Sequence, residues 1–352
     1  MDNLHHQEIQ GEIMPTALIT GITGQDGSYL AELLLKKNYQ VHGLIRPNST
    51  PNNDRIQHII NRLHLHPGDI TDSLNLNQIV QTIKPDQIYH LAAQSHVHLS
   101  FVIPELTSNI DALGTLKLLE AVRRNAPKAK FYQASTSELF GNQKMPTNGY
   151  NEKSPMHPRS PYGVAKLYAY WMVRNYREAN NLFASNGILF NHESPRRSPI
   201  FVTKKIISWC VQNNNKISNP KLPIQPLELG NIHAKRDWGH AQDYVLAMWM
   251  IIQHPYPDDW IVSTGETYSV KQFIQHCFNF MKISIKWKRD PNNPKYQIAT
   301  HKDKILITQN DKYYRPTEVP ILKGNSQKIR KKLNWKPKHT LETLIQDMWL
   351  SS

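Results

Sequence analysis

Four side chains in the middle of this sequence could act together on one substrate. The stretches STSELFG and SPYGVAK contain Thr136, Glu138, Tyr162 and Lys166, which are a hydroxyl, a carboxylate, a phenol and an ammonium. Tyr162 and Lys166 are four residues apart in a segment with a helical pattern, so they lie on the same helix face. A neighbouring ammonium favours the phenolate and lowers the pKa of a phenol. We therefore predict that Tyr162 accepts a proton from a substrate hydroxyl.

The same spacing also occurs where a solvated lysine lies beside a half-buried aromatic ring, so the pair needs support from the rest of the chain. A glycine-rich turn near the start of the sequence gives that support. The apolar run TALIT is followed by Gly21, Gly24 and Gly27 and then by an amphipathic helical pattern. Such a turn lets backbone N–H groups and the positive end of a helix approach a pyrophosphate. The glycines between a strand and a helix predict a dinucleotide-binding site.

The end of the second predicted strand indicates which dinucleotide binds. An acidic residue there would hold the ribose hydroxyls of NAD, whereas an arginine accommodates the additional phosphate of NADP. The sequence has Arg46 and no acidic neighbour, which favours NADP, although an ordinary surface arginine gives the same pattern. Further along the chain, Asp69 is placed to contact the adenine end, and the small residues of LAAQSHV let the backbone approach the cofactor.

These motifs resemble those of the GDP-mannose 4,6-dehydratases, a group within the extended short-chain dehydrogenase family. The matching stretches are TGITGQDGSYLAE, FYQASTSELFG, SPYGVAKLYAYW, LFNHESPRR, KRDWGHAQDYV, KYYRPTEV and LNWKPK, which span nearly everything from residue 16 to residue 350. HESPRR and RDWGHA are far more specific to this group than the glycine turn. The resemblance implies a hydro-lyase that converts GDP-mannose to GDP-4-keto-6-deoxymannose, with NADP reduced and reoxidised in each turnover, for fucose- or rhamnose-type sugar synthesis.

The chemistry of that reaction gives each catalytic residue a role. Hydride leaves carbon 4 of the hexose, so the hydroxyl there loses its proton to Tyr162, assisted by Thr136 and Lys166. Glu138 then removes the proton from carbon 5 and protonates the departing hydroxyl of carbon 6. Two residues apart in an extended segment, Thr136 and Glu138 would point to the same side. Because an epimerase or a simple oxidoreductase does not need this carboxylate, Glu138 is the residue that discriminates among these activities.

The resemblance also implies the binding residues, position by position. Arginines in this set can pair bidentately with phosphate oxygens. The implied cofactor-binding residues are Gly21, Thr23, Gly24, Gln25, Asp26, Gly27, Arg46, Asp69, Ile70, Leu91, Ala92, Ala93, Gln94, Ser95, Tyr162, Lys166, His192 and Arg197. The implied substrate-binding residues are Ser95, Thr136, Glu138, Asn191, Lys205, Arg236, Arg315 and Glu318, and no metal ligand is implied.

Two positions and one longer stretch depart from the family pattern. Pro47 stands where the family usually has a second arginine, which weakens the preference for NADP over NAD. Leu106 replaces a common tyrosine and removes an aromatic contact near the cofactor. The stretch PKLPIQPLELGN, before Arg236, is unusually rich in proline.

Alternating apolar runs and amphipathic stretches predict repeated β-α units and a parallel sheet. The expected fold class is α/β, a Rossmann-like doubly wound parallel sheet with a smaller, interleaved C-terminal substrate-binding domain. We expect residues 1–15 to be a disordered extension and residues 16–190 to form the NADP-binding domain, to which segments around 232–265 return. Residues 191–352 would mainly bind the sugar nucleotide. Family members usually form homodimers or homotetramers, which is the expectation here.

Composition restricts the remaining alternatives. The chain has only two cysteines, neither in a metal-ligand or redox spacing, and no apolar run approaches the length of a membrane span, so a cytoplasmic location is expected. The net charge of +14 raises nucleic-acid binding as a rival function, but the basic residues are dispersed and no nucleic-acid-binding motif accompanies them. Within enzymes, a related sugar-nucleotide epimerase or reductase, or a dehydratase that also reduces its product, remains open.

Overall fold

The computed structural model describes residues 14–47, 53–219 and 221–352. The expected N-terminal extension lies, up to residue 13, outside the described residues. The division of the chain into domains stays a prediction.

A seven-stranded parallel sheet forms the centre of the fold. Its strand order is β3-β2-β1-β4-β5-β6-β11, and each neighbouring pair is parallel. The first six strands follow the 3-2-1-4-5-6 order of the dinucleotide-binding fold. The strands are β1 (Thr16–Thr20), β2 (Gln40–Ile45), β3 (Leu63–Pro67), β4 (Gln87–His90), β5 (Lys130–Thr136), β6 (Ala184–Leu189) and β11 (Asp259–Val262).

Helices cover both faces of this sheet, which confirms the predicted doubly wound α/β fold. On one face α1 and α8 pack on a core that includes Leu30, Leu34 and Met248. On the other face α2, α5 and α6 enclose a core that includes Leu118 and Val173. The helices are α1 (Gln25–Lys36), α2 (Ser73–Ile83), α3 (Val97–Ser100), α4 (Pro104–Ser108), α5 (Gly114–Asn125), α6 (Pro161–Asn180), α7 (Val202–Ser218) and α8 (Ala241–Gln253).

Most of the remaining elements form a second packed region with its own core. Helices α7, α9 and α11 pack around Cys210, Phe273, Phe278 and Leu344, with a four-stranded sheet beside them. The further helices are α9 (Val270–Phe280), α10 (Gln327–Leu333) and α11 (Leu341–Leu350). The further strands are β7 (Asn191–Glu193), β8 (Leu227–Leu229), β9 (Lys235–Arg236), β10 (Trp238–His240), β12 (Tyr268–Ser269), β13 (Lys286–Arg289), β14 (Gln297–His301), β15 (Lys304–Gln309) and β16 (Ile321–Leu322).

Two glycines explain how the first strand and helix meet. Gly21 has a φ of +74°, and a side chain there would come within 2.9 Å of the backbone nitrogen of Ala92. A Cβ on Gly27 would lie 2.2 Å from the carbonyl oxygen of Gly21. The strand can therefore turn into α1 and stay close to it only with glycine at these positions. Because the strands are parallel, the carboxyl ends of β1, β4, β5 and β6 meet at this same edge of the sheet.

Candidate active site

The four candidate catalytic side chains come from the end of β5 and the start of α6. Thr136 is the last residue of β5, and its hydroxyl accepts a hydrogen bond from the backbone nitrogen of Glu138 at 3.2 Å. Helix α6 begins with the Ser160 hydroxyl accepting from the Gly163 nitrogen at 3.0 Å, and Pro161 occupies its first turn. This start places Tyr162 and Lys166 one turn apart. The four side chains are buried and line one cleft.

The backbone around Glu138 differs from the extended segment expected from the sequence. The strand ends at Thr136, and residues 137–139 form a 3₁₀ turn that the Thr136 hydroxyl caps. Both Thr136 and Glu138 nevertheless face the cleft. Strand alternation was therefore the wrong reason for expecting the two side chains on one side, because a local side-chain cap ends the strand at Thr136, two residues before Glu138.

The protonation of Tyr162 also differs from the expectation. Burial raises the pKa of the Tyr162 phenol, and the carboxylates of Asp111 and Glu138 act in the same direction, while a hydrogen bond with Thr136 lowers it. The Lys166 ammonium donates a hydrogen bond to the Ala134 carbonyl oxygen at 3.1 Å. Burial lowers the pKa of Lys166, and the charge of Asp111 partly offsets this. In this structure the desolvation of the phenol outweighs the stabilisation of its charged form.

Asp111 is a buried carboxylate behind this pair that the sequence analysis did not identify. It lies in a wide π-type turn, residues 109–113, that joins α4 to α5. One carboxylate oxygen accepts from the Gln94 nitrogen at 2.7 Å, and the other is buried without a hydrogen-bond partner. Burial raises the pKa of Asp111 to about 6, and Lys166 opposes this rise. The available signal in the sequence was an aspartate within an amphipathic helical pattern. Because aspartate is rarely buried without a partner, such a position would have been worth considering as a functional residue.

The glycine turn is joined to the chain after β6 by a group of polar side chains. His192 lies with its Nε2 2.7 Å from an Asp26 oxygen and its Nδ1 2.8 Å from the Phe190 carbonyl oxygen. Burial lowers the pKa of His192, but the Asp26 carboxylate raises it above its ordinary value. Burial raises the pKa of Asp26, but His192 lowers it below its ordinary value. Gln25 donates to the His192 carbonyl oxygen at 3.2 Å. These three residues, predicted to bind the cofactor, therefore also hold one another.

Of two arginines near the cofactor region, Arg46 lines the cleft and Arg55 lies in a separate pocket that also contains Arg197. Arg46 follows β2, is exposed and lines the cleft. Arg55 was not predicted as a site residue. Its side chain donates to the carbonyl oxygens of Arg196 at 2.9 Å and of Thr23, in the glycine turn, at 3.3 Å. Arg55 thus brings a second guanidinium to the glycine turn.

The other side of the cleft depends on contacts between distant parts of the chain. Buried Arg236, at the end of β9, donates to the Val319 carbonyl oxygen at 2.8 Å and lies 3.1 Å from a Glu318 oxygen. Burial lowers the pKa of Arg236, and Glu138 and Glu318 act against this. Arg315 lies 3.4 Å from a Glu138 oxygen. The expected phosphate-binding and acid–base groups are therefore neighbours.

Lys205 and Arg197 lie over aromatic rings on this side. The Lys205 ammonium is 4.0 Å from the ring centre of Tyr313 and donates to the Glu228 carbonyl oxygen at 2.8 Å. The Arg197 guanidinium is 3.5 Å from the ring centre of Phe201. Such rings hold a cation in place, and Arg197 is also ion-paired with buried Glu193 at 2.9 Å.

All the predicted site residues are brought together in one cleft of about 1380 Å³. The lining includes Gly21, Thr23, Gly24, Gln25, Asp26, Gly27, Arg46, Asp69, Ile70, Leu91, Ala92, Ala93, Gln94, Ser95, Thr136, Glu138, Tyr162, Lys166, Asn191, His192, Arg197, Lys205, Arg236, Arg315 and Glu318. Leu106, at the position of the lost tyrosine, also lines it. The roles of these residues stay predictions.

Two kinds of feature are absent from the part of the chain that the structure describes. Between residues 14 and 352, apart from the undescribed positions 48–52 and 220, no cluster of three or more His, Cys, Asp or Glu could hold a metal ion. Over the same described ranges, none of the helices has the length and apolar character of a membrane span.

Comparison with known proteins decides the family. A family model described as GDP-mannose 4,6 dehydratase matches residues 18–348. The chain belongs to this family. Among its relatives, GDP-mannose 4,6 dehydratase from Drosophila melanogaster is 49% identical over 342 residues, which cover 94% of this chain and 84% of that protein. The Homo sapiens protein of the same name is 48% identical over 354 residues, covering 96% and 91%.

Solved structures are similar in fold at much lower sequence identity. The dTDP-glucose 4,6-dehydratase from Bacillus anthracis, solved in complex with NAD, has a TM-score of 0.77 and 20% identity, with 96% of each chain covered. This likeness concerns the fold, which agrees with the parallel sheet described above.

Proposed function

We propose that this protein dehydrates GDP-mannose to GDP-4-keto-6-deoxymannose and water, with NADP as its cofactor. The observation that carries the proposal is the position of Glu138. This carboxylate lies in the same cleft as Tyr162, Thr136 and Lys166, in a chain that belongs to the GDP-mannose 4,6-dehydratase family of hydro-lyases.

The residues of the cleft fit a dinucleotide. Helix α1 begins at the glycine turn without a side-chain cap, so the N–H groups of its first turn are available to a pyrophosphate. Gly21 and Gly27 keep side chains out of this approach. Arg46, directly after β2, favours NADP over NAD despite Pro47, because an arginine at this position accommodates the additional phosphate, and Arg55 adds positive charge at the glycine turn. When bound, a nicotinamide dinucleotide supplies a hydride acceptor that later returns the hydride.

Tyr162 removes the proton from the hydroxyl on carbon 4 of the hexose. Its phenolate is favoured by Thr136 and Arg197 and opposed by burial, Asp111 and Glu138. Oxidation at carbon 4 makes the proton on carbon 5 acidic. Glu138 removes that proton and gives a proton to the hydroxyl that leaves carbon 6, so one carboxylate acts as base and then as acid.

On the other side of the cleft, the cationic residues hold the nucleotide diphosphate. Arg236 and Arg315 present planar guanidinium groups that match phosphate oxygens, and Lys205 adds a point charge. Asn191, in the short strand β7, lies beside them on the cleft wall. Because Arg315 lies 3.4 Å from Glu138, the diphosphate would be bound next to the acid–base group.

The test is incubation of the purified protein with GDP-mannose and NADP, followed by mass spectrometry for loss of one water. We expect the wild type and a Glu105→Gln control, at an exposed carboxylate of α4, to release water. A Glu138→Gln variant should bind both ligands and release none. A wild-type protein that binds cofactor and leaves GDP-mannose unchanged would contradict the proposal and direct attention to other sugar nucleotides.

Cofactor choice is tested separately by measuring the Kd of NADP and of NAD. If Arg55 contributes to the site of the additional phosphate, Arg55→Leu should raise the Kd of NADP by about tenfold and the Kd of NAD by less than about twofold. Equal weakening of both dinucleotides would instead assign Arg55 to the shape of the glycine turn.

We also propose that two copies of the chain associate through helix α6. Val164, Tyr168 and Trp171 form one stripe on this helix and are exposed by 56%, 38% and 53%. Light scattering should give a homodimer or homotetramer for the wild type and a smaller assembly for Trp171→Glu. The control is Tyr256→Glu, at a 72% exposed aromatic elsewhere. If both variants form the same assembly as the wild type, the exposed face of α6 is not the contact surface.

A further inference from the structure

His96 lies in the cleft at the turn between β4 and α3, and its backbone is held in place from both sides. The Gln94 side chain accepts a hydrogen bond from the His96 nitrogen at 2.8 Å and donates one to its carbonyl oxygen at 3.3 Å. Gln94 also donates to the Thr107 hydroxyl at 3.0 Å. The position of the His96 Cα is therefore fixed before any ligand binds.

The side chain of His96 offers one neutral donor. Its Nδ1 accepts a hydrogen bond from the Leu99 nitrogen at 3.3 Å, which assigns the proton of the neutral ring to Nε2. Burial lowers the pKa of His96, and the charges of His98, Arg315 and Arg197 lower it further. The ring meets Phe201 edge-on, with centroids 5.7 Å apart, and lines the cleft.

The neighbours of His96 indicate which part of a sugar nucleotide it faces. Arg315 contacts Glu138, and Arg197 lies over the ring of Phe201, which itself meets His96. His96 is therefore close enough to feel the charges of Arg197 and Arg315, and it lines the same cleft as Glu138. Guanidinium groups suit phosphate oxygens because their hydrogen bonds are charge-assisted. The neutral N–H donor of His96 is better matched to an uncharged hydroxyl.

We propose that the His96 Nε2–H donates a hydrogen bond to a hydroxyl of the hexose and so positions the ring for Tyr162 and Glu138. The proposal rests on the proposed function, because it takes the ligand to be a sugar nucleotide. It assigns His96 to the hexose and leaves the diphosphate to Lys205, Arg236 and Arg315.

A His96→Ser variant separates this contact from the local structure. Serine keeps an oxygen that can accept from the Leu99 nitrogen and removes the Nε2–H donor. Calorimetric titration of the cofactor-loaded protein should give a Kd for GDP-mannose about tenfold higher than for the wild type, which is the expected loss of one hydrogen bond. The Kd for GDP, which has no hexose, should change less than twofold. His64→Ser, at an exposed position of β3, is the matched control and should change neither value.

Each other outcome overturns the contact. If the Kd values of GDP-mannose and GDP rise together, His96 acts on the nucleotide diphosphate. If neither Kd changes in a His96→Ser variant with wild-type thermal stability, His96 contacts neither ligand. A kcat loss with unchanged GDP-mannose affinity would also exclude the binding role. Failure of the wild type to release water from GDP-mannose would contradict the proposed function itself, whatever the variant binds.

Discussion

The two walls of the cleft are built in different ways. We call the predicted cofactor-binding residues from Gly21 to Ser95 the cofactor wall, and the predicted diphosphate-binding residues Asn191, Lys205, Arg236, Arg315 and Glu318 the substrate wall. The cofactor wall stands on the carboxyl ends of parallel strands of four to seven residues, joined by backbone hydrogen bonds within one sheet. The substrate wall is carried by strands of two or three residues and by a helix. Its side chains reach each other across large sequence separations, as Arg236 reaches Val319.

This difference indicates how each wall responds to a ligand. The backbone geometry of the cofactor wall is fixed by the sheet and tolerates little change at the glycine turn. The substrate wall is held by charged side chains, which can exchange protein partners for phosphate oxygens. Mutations in the cofactor wall should therefore affect folding as well as binding, whereas those in the substrate wall should mainly affect affinity.

The largest effect is expected from Gly27→Ala in the cofactor wall. The added Cβ would lie 2.2 Å from the Gly21 carbonyl oxygen and 2.6 Å from the Ile22 Cα. Because both atoms belong to the backbone, the helix must move away from the strand, at a cost of about 3 kcal/mol or more in the free energy of unfolding. Urea denaturation measures this loss. Cofactor titration should detect no binding at concentrations that saturate the wild type.

Gly24→Ala is the matched control in the same turn, since a Cβ there comes only within 3.1 Å of the Gly21 oxygen. It should lose less than half as much stability as Gly27→Ala. Equal losses in the two variants would mean that the turn, and not the close approach of α1, limits stability.

In the substrate wall, Arg236→Lys should weaken GDP-mannose binding by roughly 30-fold, because a lysine cannot replace the forked contacts of a buried guanidinium. Cofactor affinity should change less than twofold. Arg289→Lys, at an exposed position of β13, serves as the control. Isothermal titration of each ligand makes the measurement, and parallel loss of both affinities would contradict the separation of the two walls.

The same contrast sets how much the sequence could predict. The glycine turn, the strand before it and the i, i+4 pair on α6 follow local rules of periodicity and capping, and the structure has them as expected. Family resemblance supplied Arg236 and Glu318, which lie 82 residues apart and meet in the structure. No local pattern could have brought these two together.

Three other features could not be predicted from local sequence patterns or from the family resemblance. The 3₁₀ turn at Glu138 depends on which hydrogen bond the Thr136 hydroxyl makes, and the pKa of Tyr162 depends on how deeply α6 is buried. Asp111 required the wide turn between α4 and α5, which one-dimensional periodicity does not predict. Burial and tertiary contacts set all three.

Asp111→Asn tests the electrostatics behind the cofactor wall. Burial raises the pKa of Asp111 to about 6 from an ordinary value of 3.8, so the folded state binds the proton more tightly than the unfolded state. The free energy of unfolding should therefore fall as the pH rises from 3.8 to about 6. Above about pH 6 the full cost of ionising the buried Asp111 is present. Asparagine stays neutral, can still accept from the Gln94 nitrogen, and should be more stable than the wild type by about 1–2 kcal/mol at pH 8.

Urea denaturation at pH 5 and pH 8 makes this comparison. The difference between variant and wild type should be smaller at pH 5 than at pH 8. A variant that is less stable at pH 8 would mean that the attraction between Asp111 and Lys166 outweighs the cost of burying the carboxylate.

The smallest effect is expected at the outer edge of the second region. The Lys304 ammonium donates to the carbonyl oxygens of Lys216, Asn219 and Leu222, at 2.6, 2.5 and 2.8 Å, and so holds the proline-rich loop to the end of α7. Lys304→Met keeps the apolar stem and removes these bonds, which should cost about 1 kcal/mol. Lys288→Met, at an exposed position of β13, is the control.

The location of this loss matters more than its size. If side-chain contacts hold the second region piece by piece, hydrogen exchange should quicken between residues 216 and 226, while the strands of the parallel sheet keep their protection. Affinity for GDP-mannose should stay within twofold, because Lys304 is not among the residues that line the cleft. Faster exchange in β1 or β4 would instead mean that the loop and the sheet open together, so the two walls would not be independent.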